Sequence, residues 1–353
     1  MLRLPGHWVW DFWTADDGDL FHLFYLMAPT NLEDPRRRHR AARIGHSVSS
    51  DLSRWSEHDS PYEVGGGGAF DETATWTGCV VRGDDGQWRM FYTGARFLEN
   101  EPGVMHTERV GLAVSADLEH WVKRPGSVAA ADPRWYETIE DAASGEESWR
   151  DPWVFKDPSG HGWHMLLTAR ANVGPSTDRG VIGHAYSTDL ETWEVRAPLS
   201  SPGSGFVHLE VPQVVQIGGQ WILLFSCATD SLAPTSRHRD QDVGTWALPV
   251  DSPVGPFDIT RARPITTSGL YSCRAVPDRS GGWVLLGFLN GPNTSFPGVV
   301  TDPIPLDLDP DGYPRPAPGP HIIGPADAIP PPSTLTPTPR TAVTAQSPPE
   351  GES

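Results

Sequence analysis

The chain has few cysteines, little positive charge and no long apolar run. Only Cys79, Cys227 and Cys273 occur among its 353 residues, and their spacing offers neither a disulfide framework nor a metal-ligand pair. They are expected as buried free thiols in or beside strands. Lys and Arg number 27 against 45 Asp and Glu, a formal net charge of −18. That balance argues against nucleic acid or an anionic membrane surface as a partner, since both need a basic patch. The one basic cluster, Arg36-Arg37-Arg38-His39-Arg40, reads as a solvated loop, with the border of a pocket as the alternative. No stretch approaches the ~20 apolar residues of a membrane span. The opening Met1–His7 is too short and too polar for a secretory leader, so a cytoplasmic location is expected. No window sustains the 3.6-residue period of an amphipathic helix.

Turn residues and tryptophan are what the chain has in quantity: 36 Gly, 36 Pro and 15 Trp. The Gly and Pro residues punctuate short apolar runs, as they do in all-β chains. Aromatic-rich runs opening at Leu20, Trp88, Trp163, Trp221 and Trp283 recur at steps of 58 to 75 residues, each step long enough for about four strands and their turns. A second pattern, Gly-x5-Asp-Leu-x2-Trp, occurs three times, as Gly45/Asp51/Leu52/Trp55, Gly111/Asp117/Leu118/Trp121 and Gly183/Asp189/Leu190/Trp193. Here the Asp accepts local backbone N–H groups in a turn, and the Trp opens the next strand and packs inward. These residues report architecture. Five such units predict an all-β, five-bladed β-propeller over residues 1–320. The Pro/Thr/Ala-rich residues 325–353 are expected to form a disordered tail, with no C-terminal β-sandwich.

Three carboxylates fall at matching places on the predicted innermost strands: Asp11 in unit one, Asp151 in unit three and Glu210 in unit four. The corresponding places in units two and five are Trp76-Thr77-Gly78 and Ser272-Cys273-Arg274. Arranged around an axis, the three acids converge on one pocket. Crowded carboxylates repel, so at least one should hold a raised pKa and remain protonated near neutrality. One proton donor and one nucleophilic or basic carboxylate are what glycoside hydrolysis requires. Trp10, Trp13 and Trp76 are candidates to wall a sugar site, as against plain channel packing. His208 shares a strand face with Glu210 and could touch substrate; His7 and Arg274 are further candidates, while His22 and His46 read as strand or loop residues.

The motifs resemble those of glycoside hydrolase family 32, the invertase, levanase and inulinase relatives, which share a five-bladed propeller with the levansucrase family. Gly6-His7-Trp8-Val9-Trp10-Asp11 followed by Phe21-His22-Leu23-Phe24-Tyr25 is similar to the opening motif, Trp76-Thr77-Gly78 to a substrate-contacting aromatic-Ser-Gly element, Arg150-Asp151-Pro152 to the Arg-Asp-Pro motif, and Glu210-Val211-Pro212 to Glu-Cys-Pro. The resemblance spans residues 6 to 315 and implies Asp11 as nucleophile, Glu210 as acid/base and Asp151 as transition-state stabiliser. Arg150, Trp10, Trp13, Trp76, Thr77 and His208 would bind substrate. It implies no metal or organic cofactor and a small fructoside as the partner molecule, cleaved with retention. Trp10-Asp11-Phe12-Trp13 stands closer to the levansucrase pattern Val-Trp-Asp-x-Trp than to Asn-Asp-Pro-Asn-Gly, which leaves hydrolysis and fructosyl transfer both open. Val211 replaces the usual Cys. Two other readings are an inverting furanosidase of the arabinanase and xylosidase type, with its acid and base farther apart, and a non-catalytic sugar-binding propeller.

Overall fold

The computed structural model describes residues 1–323, apart from 33, 59–63, 102, 143–144 and 292–295. The expected tail at 325–353 lies outside the described residues. Five antiparallel sheets follow one another along the chain. Blade one holds β1 (His7–Asp16), β2 (Phe21–Pro29), β3 (Arg43–Ser49) and β4 (Ser56–His58), with a four-residue helix α1 (Arg38–Ala41) between β2 and β3. Blade two holds β5 (Ala74–Arg82), β6 (Trp88–Phe97), β7 (His106–Ser115) and β8 (Val122–Lys123). Blade three holds β9 (Trp149–Lys156), β10 (Trp163–Arg170), β11 (Gly180–Ser187) and β12 (Glu194–Arg196). Blade four holds β13 (Glu210–Ile217), β14 (Gln220–Ser226), β15 (Thr245–Val250) and β16 (Arg263–Pro264). Blade five holds β17 (Leu270–Pro277), β18 (Trp283–Leu289), β19 (Val299–Val300), β20 (Ile304–Leu308) and β21 (Pro314–Pro316). The protein is a five-bladed β-propeller, as the repeats predict.

Each sheet is apolar on both faces because each face meets a neighbouring blade. Five buried clusters fill the five gaps. Trp13, Phe24, Met90 and Tyr92 join blades one and two; Phe91, Trp149, Met165 and Trp193 join two and three; Leu166, Phe206, Phe225 and Trp246 join three and four. Ile222, Leu224, Leu270 and Leu285 join four and five, and Val9, Phe12, Leu23, Val276 and Leu286 join five and one. Backbone pairing seals the last gap: Leu2 N donates to Val300 O at 2.9 Å, Val300 N to Leu2 O at 3.1 Å, and Val9 N to Gly298 O at 3.0 Å. The N-terminal segment therefore clasps blade five and closes the ring.

The Asp-Leu-x2-Trp turns behave as their chemistry dictates. Asp189 Oδ1 accepts from Glu191 N and Thr192 N at 2.9 and 2.8 Å, and Asp51 and Asp117 do the same in blades one and two. Leu52, Leu118 and Leu190 take φ values of 61, 68 and 65°, a left-handed conformation that a leucine adopts only when its surroundings hold it there. The Asx bonds and the burial of each Leu side chain provide that hold. Asp189→Ala should therefore cost about 1 kcal/mol, the usual loss for a side chain that caps backbone donors, read as a lower urea midpoint at unchanged m. No change in midpoint would show that the turn is held by packing alone.

Blades one and three also carry a device with no common sequence signature. Asp17 Oδ2, His22 and His46 form a hydrogen-bonded chain at 3.2 and 3.0 Å, and Asp157 Oδ2, His164 and His184 repeat it at 2.7 and 2.9 Å. His22 and His46 are thus strand residues with structural partners. All three cysteines are buried and free.

Candidate active site

Every innermost strand carries a β-bulge at the same level. The pairing register breaks at Trp10/Phe12 in β1, Trp76/Gly78 in β5, Leu166/Thr168 opposite β9, Glu210/Gln213 in β13 and Tyr271/Arg274 in β17. The inserted residues are Asp11, Thr77, Asp151, Val211 and Ser272. An extra residue bends the strand and redirects its side chain or N–H. Asp151, Val211 and Ser272 have φ of 58, 52 and 48°, values unusual for any non-glycine and more so for a β-branched Val. The glycine after Thr77 is required, since a Cβ on Gly78 would lie 2.3 Å from Phe91 O.

These bulges are wired together around the axis. Ser272 Oγ and Thr77 Oγ1 donate to the two oxygens of Asp11, each at 2.7 Å. Thr93 Oγ1 donates to Thr77 O at 2.9 Å and accepts from Asp151 N at 3.0 Å. Asp151 Oδ2 accepts from Thr168 Oγ1 at 2.7 Å and from Val211 N at 3.1 Å. One hydrogen-bond chain thus runs through residues of all five blades and fixes both aspartates.

Glu210 does not occupy the place expected from the repeat. It stands one residue before the bulge, level with Trp10, Trp76, Arg150 and Tyr271, because in blade four the inserted residue is Val211. The offset places the glutamate one level above the two aspartates. There Arg150 Nη2 donates to Oε1 at 2.8 Å and Tyr271 Oη to Oε2 at 2.6 Å. Arg150 also holds Glu108 at 3.0 Å and Glu146 at 2.7 Å, and its Nε lies 3.8 Å from Asp151. The chain entering Glu210 is anchored by Arg170, which donates to Val207 O at 3.1 Å and pairs with buried Glu137 at 2.6 Å.

Protonation follows from these partners. Asp151 is 3% exposed, and burial, added to the charges of Asp11 and Glu210, pushes its carboxyl up to about 7 although Arg150 opposes the shift. Burial raises Asp11 as well, against the hydrogen bonds from Thr77 and Ser272. Glu210 goes the other way: burial alone would raise it, but Arg150, His208 and Tyr271 together hold it below the usual carboxylate range. At least one acid above its normal range was expected from crowding, and it is the two aspartates that rise. These opposed shifts favour a proton on the aspartates and the charge on Glu210. Its side chain is 27% exposed, enclosed by protein yet open to water at the mouth.

The remaining candidates divide. Trp76 is half-buried at the mouth, its indole Nε1 donating to His39 O at 2.8 Å, and the His39 ring meets both Trp10 and Trp76 edge-on at 6.2 and 6.4 Å. Trp10 is 3% exposed and lies beneath the Arg38 guanidinium at 5.8 Å, so little of its face is free. Trp13 is a correction. It is 1% exposed and stacks on Phe24 at 6.1 Å, because the bulge at Asp11 sets it one level below the acids, in the packing between blades one and two. Thr77 is spent on Asp11 and buried, which makes it a holder of the nucleophile candidate. His208 Nε2 lies 3.1 Å from Ser148 Oγ and 3.4 Å from Glu146, beside the Arg150 cluster. His7 bonds the Pro5 carbonyl within its own turn.

The basic cluster takes its second reading in part. Arg36 and Arg37 are exposed, whereas Arg38 is buried and its guanidinium stacks on Phe296 at 4.2 Å. Arg38 and His39, carried by α1, border the mouth. Sequence reading also missed Tyr271, Glu108 and Glu146, and it placed Ser272 one residue out of register. Tyr271-Ser272 was findable by aligning Leu270-Tyr271-Ser272 with Thr75-Trp76-Thr77, one residue from the register chosen. Glu108 reaches in from β7, the third strand of its blade, and carries no local signal. Among the described residues no group of His, Cys, Asp and Glu could hold a metal ion, and no helix is long and apolar enough to cross a membrane.

The profile of the Glycosyl hydrolases family 32 N-terminal domain matches residues 15–252. The chain belongs to glycosyl hydrolase family 32. The matched segment of this family 32 chain contains Arg150, Asp151 and Glu210 but begins after Asp11 and ends before Tyr271. No curated protein matches it. Solved structures share its fold: the inulosucrase from Halalkalicoccus jeotgali bound to kestose (TM-score 0.72, 23% identity, 89% of this chain and 87% of that one), the levansucrase from Gluconacetobacter diazotrophicus (0.70, 17%, 89% and 81%), and the catalytic domain of the Microbacterium saccharophilum K-1 β-fructofuranosidase (0.69, 17%, 88% and 81%). The family 32 protein is thus a glycosidase on a propeller fold.

Its tyrosine at the acid gives a direct test. Tyr271→Phe removes the hydrogen bond to Glu210 Oε2, a bond that favours the ionised form. The Glu210 pKa should rise. Activity that depends on a protonated Glu210 is lost as pH rises through that pKa, so the alkaline limb of kcat, which reports the substrate complex, should move to higher pH. A limb that stays in place or moves down would show that Glu210 is not the group titrating there.

Proposed function

We propose that the protein releases β-fructofuranosyl units from sucrose or short fructo-oligosaccharides by double displacement with retention. The observation that carries this reading is the joint fixing of Asp11, Asp151 and Glu210 on three inner strands, with Arg150 bridging the acid level and the aspartate level. Asp11 attacks the anomeric carbon as a carboxylate while the glycosidic oxygen departs with the Glu210 proton, leaving a fructosyl ester on Asp11. Water or an acceptor sugar then attacks that carbon, its proton returns to Glu210, and the ester bond breaks. Asp151 and Arg150 hold ring hydroxyls whose hydrogen bonds tighten as positive charge develops. A sugar seated over the aspartates displaces the water that still reaches Glu210, and desolvation favours the neutral acid that the first step needs.

The test is release of sugar from sucrose, a short inulin-type oligosaccharide, levan and an aryl arabinofuranoside, with the anomer of the first product followed by NMR. Fructose appearing first as the β-anomer supports the reading. First release of the inverted anomer, or arabinose release alone, would move the protein to an inverting furanosidase mechanism. Sugar binding without turnover would make it a binding propeller. Transfer products growing with sucrose concentration would place it on the fructosyl-transfer side of the same chemistry.

A further inference from the structure

Arg274 is a buried charge that the reaction above leaves unused. It is 1% exposed. Its Nη1 donates to Pro212 O at 2.9 Å in blade four, and its guanidinium carbon stands 5.1 Å from the centre of the Trp153 ring in blade three. Its Nε and Nη2 find no hydrogen-bond partner, and no carboxylate lies within 4 Å of it among the described residues. A guanidinium taken out of water without a paired anion is costly, so its charge must be balanced through space. The groups that act on it through space are, in decreasing order, the Cys79 thiol from blade two, Asp151 and Asp11.

Register places it beneath the acids. Arg274 pairs with Leu286, which makes it level with Trp13, Cys79, Trp153 and Gln213 in the other four inner strands. At that level the other four residues are uncharged under ordinary conditions. Two residues earlier in the same strand, Ser272 holds Asp11. The other charged and titratable groups around Asp11 are Asp151 of β9, Glu210 of β13, Tyr271 of β17 and Arg38 just above on α1. Arg150 is already committed to Glu108, Glu146 and Glu210. The direct hydrogen bonds to Asp11 from Thr77 and Ser272 come from neutral hydroxyls, which leaves its charge without a contact cation.

We propose that Arg274 is a positioning residue, the counter-charge below the site that offsets part of the desolvation of Asp11 and so favours its ionised form. It touches no substrate and acts through the Asp11 carboxylate. This role rests on the nucleophile reading of Asp11 above. The relation is reciprocal: each charge offsets the desolvation of the other, and loss of the cation makes protonation of Asp11 easier.

The experiment compares wild type with Arg274→Met, which keeps the length of the stem, and Arg274→Lys, which keeps the charge. Two readouts are taken: the Asp11 carboxyl titration by NMR of the protein carrying ¹³C-labelled Asp, assigned with Asp11→Asn, and the pH profile of kcat on sucrose. In Arg274→Met the Asp11 midpoint should rise by about one unit, and kcat on its acidic limb should fall ~tenfold, since one unit of pKa is a factor of ten and kcat reports the substrate complex in which Asp11 must be charged, while the plateau changes far less. Arg274→Lys should stay close to wild type. An unmoved midpoint with a uniform loss at every pH would overturn the proposal and leave Arg274 as packing. If Arg274→Met does not fold, Arg274→Lys decides: a midpoint displaced despite the retained charge refutes the electrostatic role. A shifted midpoint in a protein that turns over no fructoside would sink the proposed function and leave the counter-charge standing.

Discussion

Asp11→Asn is expected to lower kcat on sucrose by at least ~10⁴-fold while leaving the melting temperature nearly unchanged. The size follows from the proposed mechanism, in which Asp11 forms the covalent bond to the anomeric carbon, and losses of this order or larger accompany loss of a nucleophile elsewhere. Fold retention follows from shape. Asn is isosteric with Asp, and the Ser272 and Thr77 hydroxyls that now donate to the carboxylate can rotate, one to donate and the other to accept. The check is steady-state turnover together with rapid quench and mass spectrometry. Wild type should show a fructosyl ester on the peptide carrying Asp11, and the variant should show none. An ester on another residue, or a variant retaining a tenth of wild-type turnover, would remove Asp11 from the nucleophile role.

Glu210→Gln should cost about 10²- to 10⁴-fold on sucrose, the range expected for a lost general acid, and the loss should depend on the leaving group. An aryl fructoside whose phenol leaves without protonation needs no acid in the first step, so there the variant should stall at the fructosyl ester. Added azide, which needs no base, should then restore turnover and yield a fructosyl azide. The alkaline limb seen in wild type should vanish. Folding is not at risk, because Arg150 keeps Glu108 and Glu146 as partners. Equal losses on sucrose and the aryl donor, with no response to azide, would show that Glu210 positions substrate and transfers no proton.

The pKa pattern gives these two variants added value. These shifts favour charge on Glu210 and a proton near Asp11 and Asp151, the reverse of the distribution that the first step of the proposed mechanism requires. Both arrangements contain the same number of protons, so a pH optimum alone cannot tell them apart. Single substitutions at each position can. Arg150 sets the order, because one guanidinium lies 2.8 Å from Glu210 and 3.8 Å from Asp151, and the closer carboxylate gains more.

Much of the fold was legible in the chain because its causes are local and repeated. Gly-punctuated apolar runs specify short strands, Asp51, Asp117 and Asp189 specify the same turn three times, and five repeats specify five blades. The acids were legible for a related reason: Asp11, Asp151 and Glu210 lie on innermost strands whose positions the repeat defines. Trp13 was misread because its spacing from Asp11 ignores the inserted residue between Trp10 and Phe12. Arg38 and His39 looked like solvated charge because nothing in five basic residues reveals that Phe296 and Trp10 cover one of them.

The sequence by itself therefore determined the blade count, the family resemblance and the identity of three carboxylates, since each depends on residue type and spacing along one strand. Only the tertiary structure decided which level each acid occupies, which acid Arg150 ionises, that Tyr271 and Ser272 complete the ring, and that Arg274 lies unpaired beneath it. Those facts depend on bulges that shift a strand by one residue and on contacts between blades some sixty or more residues apart, and electrostatics falls off with distance in space, whatever the separation along the chain.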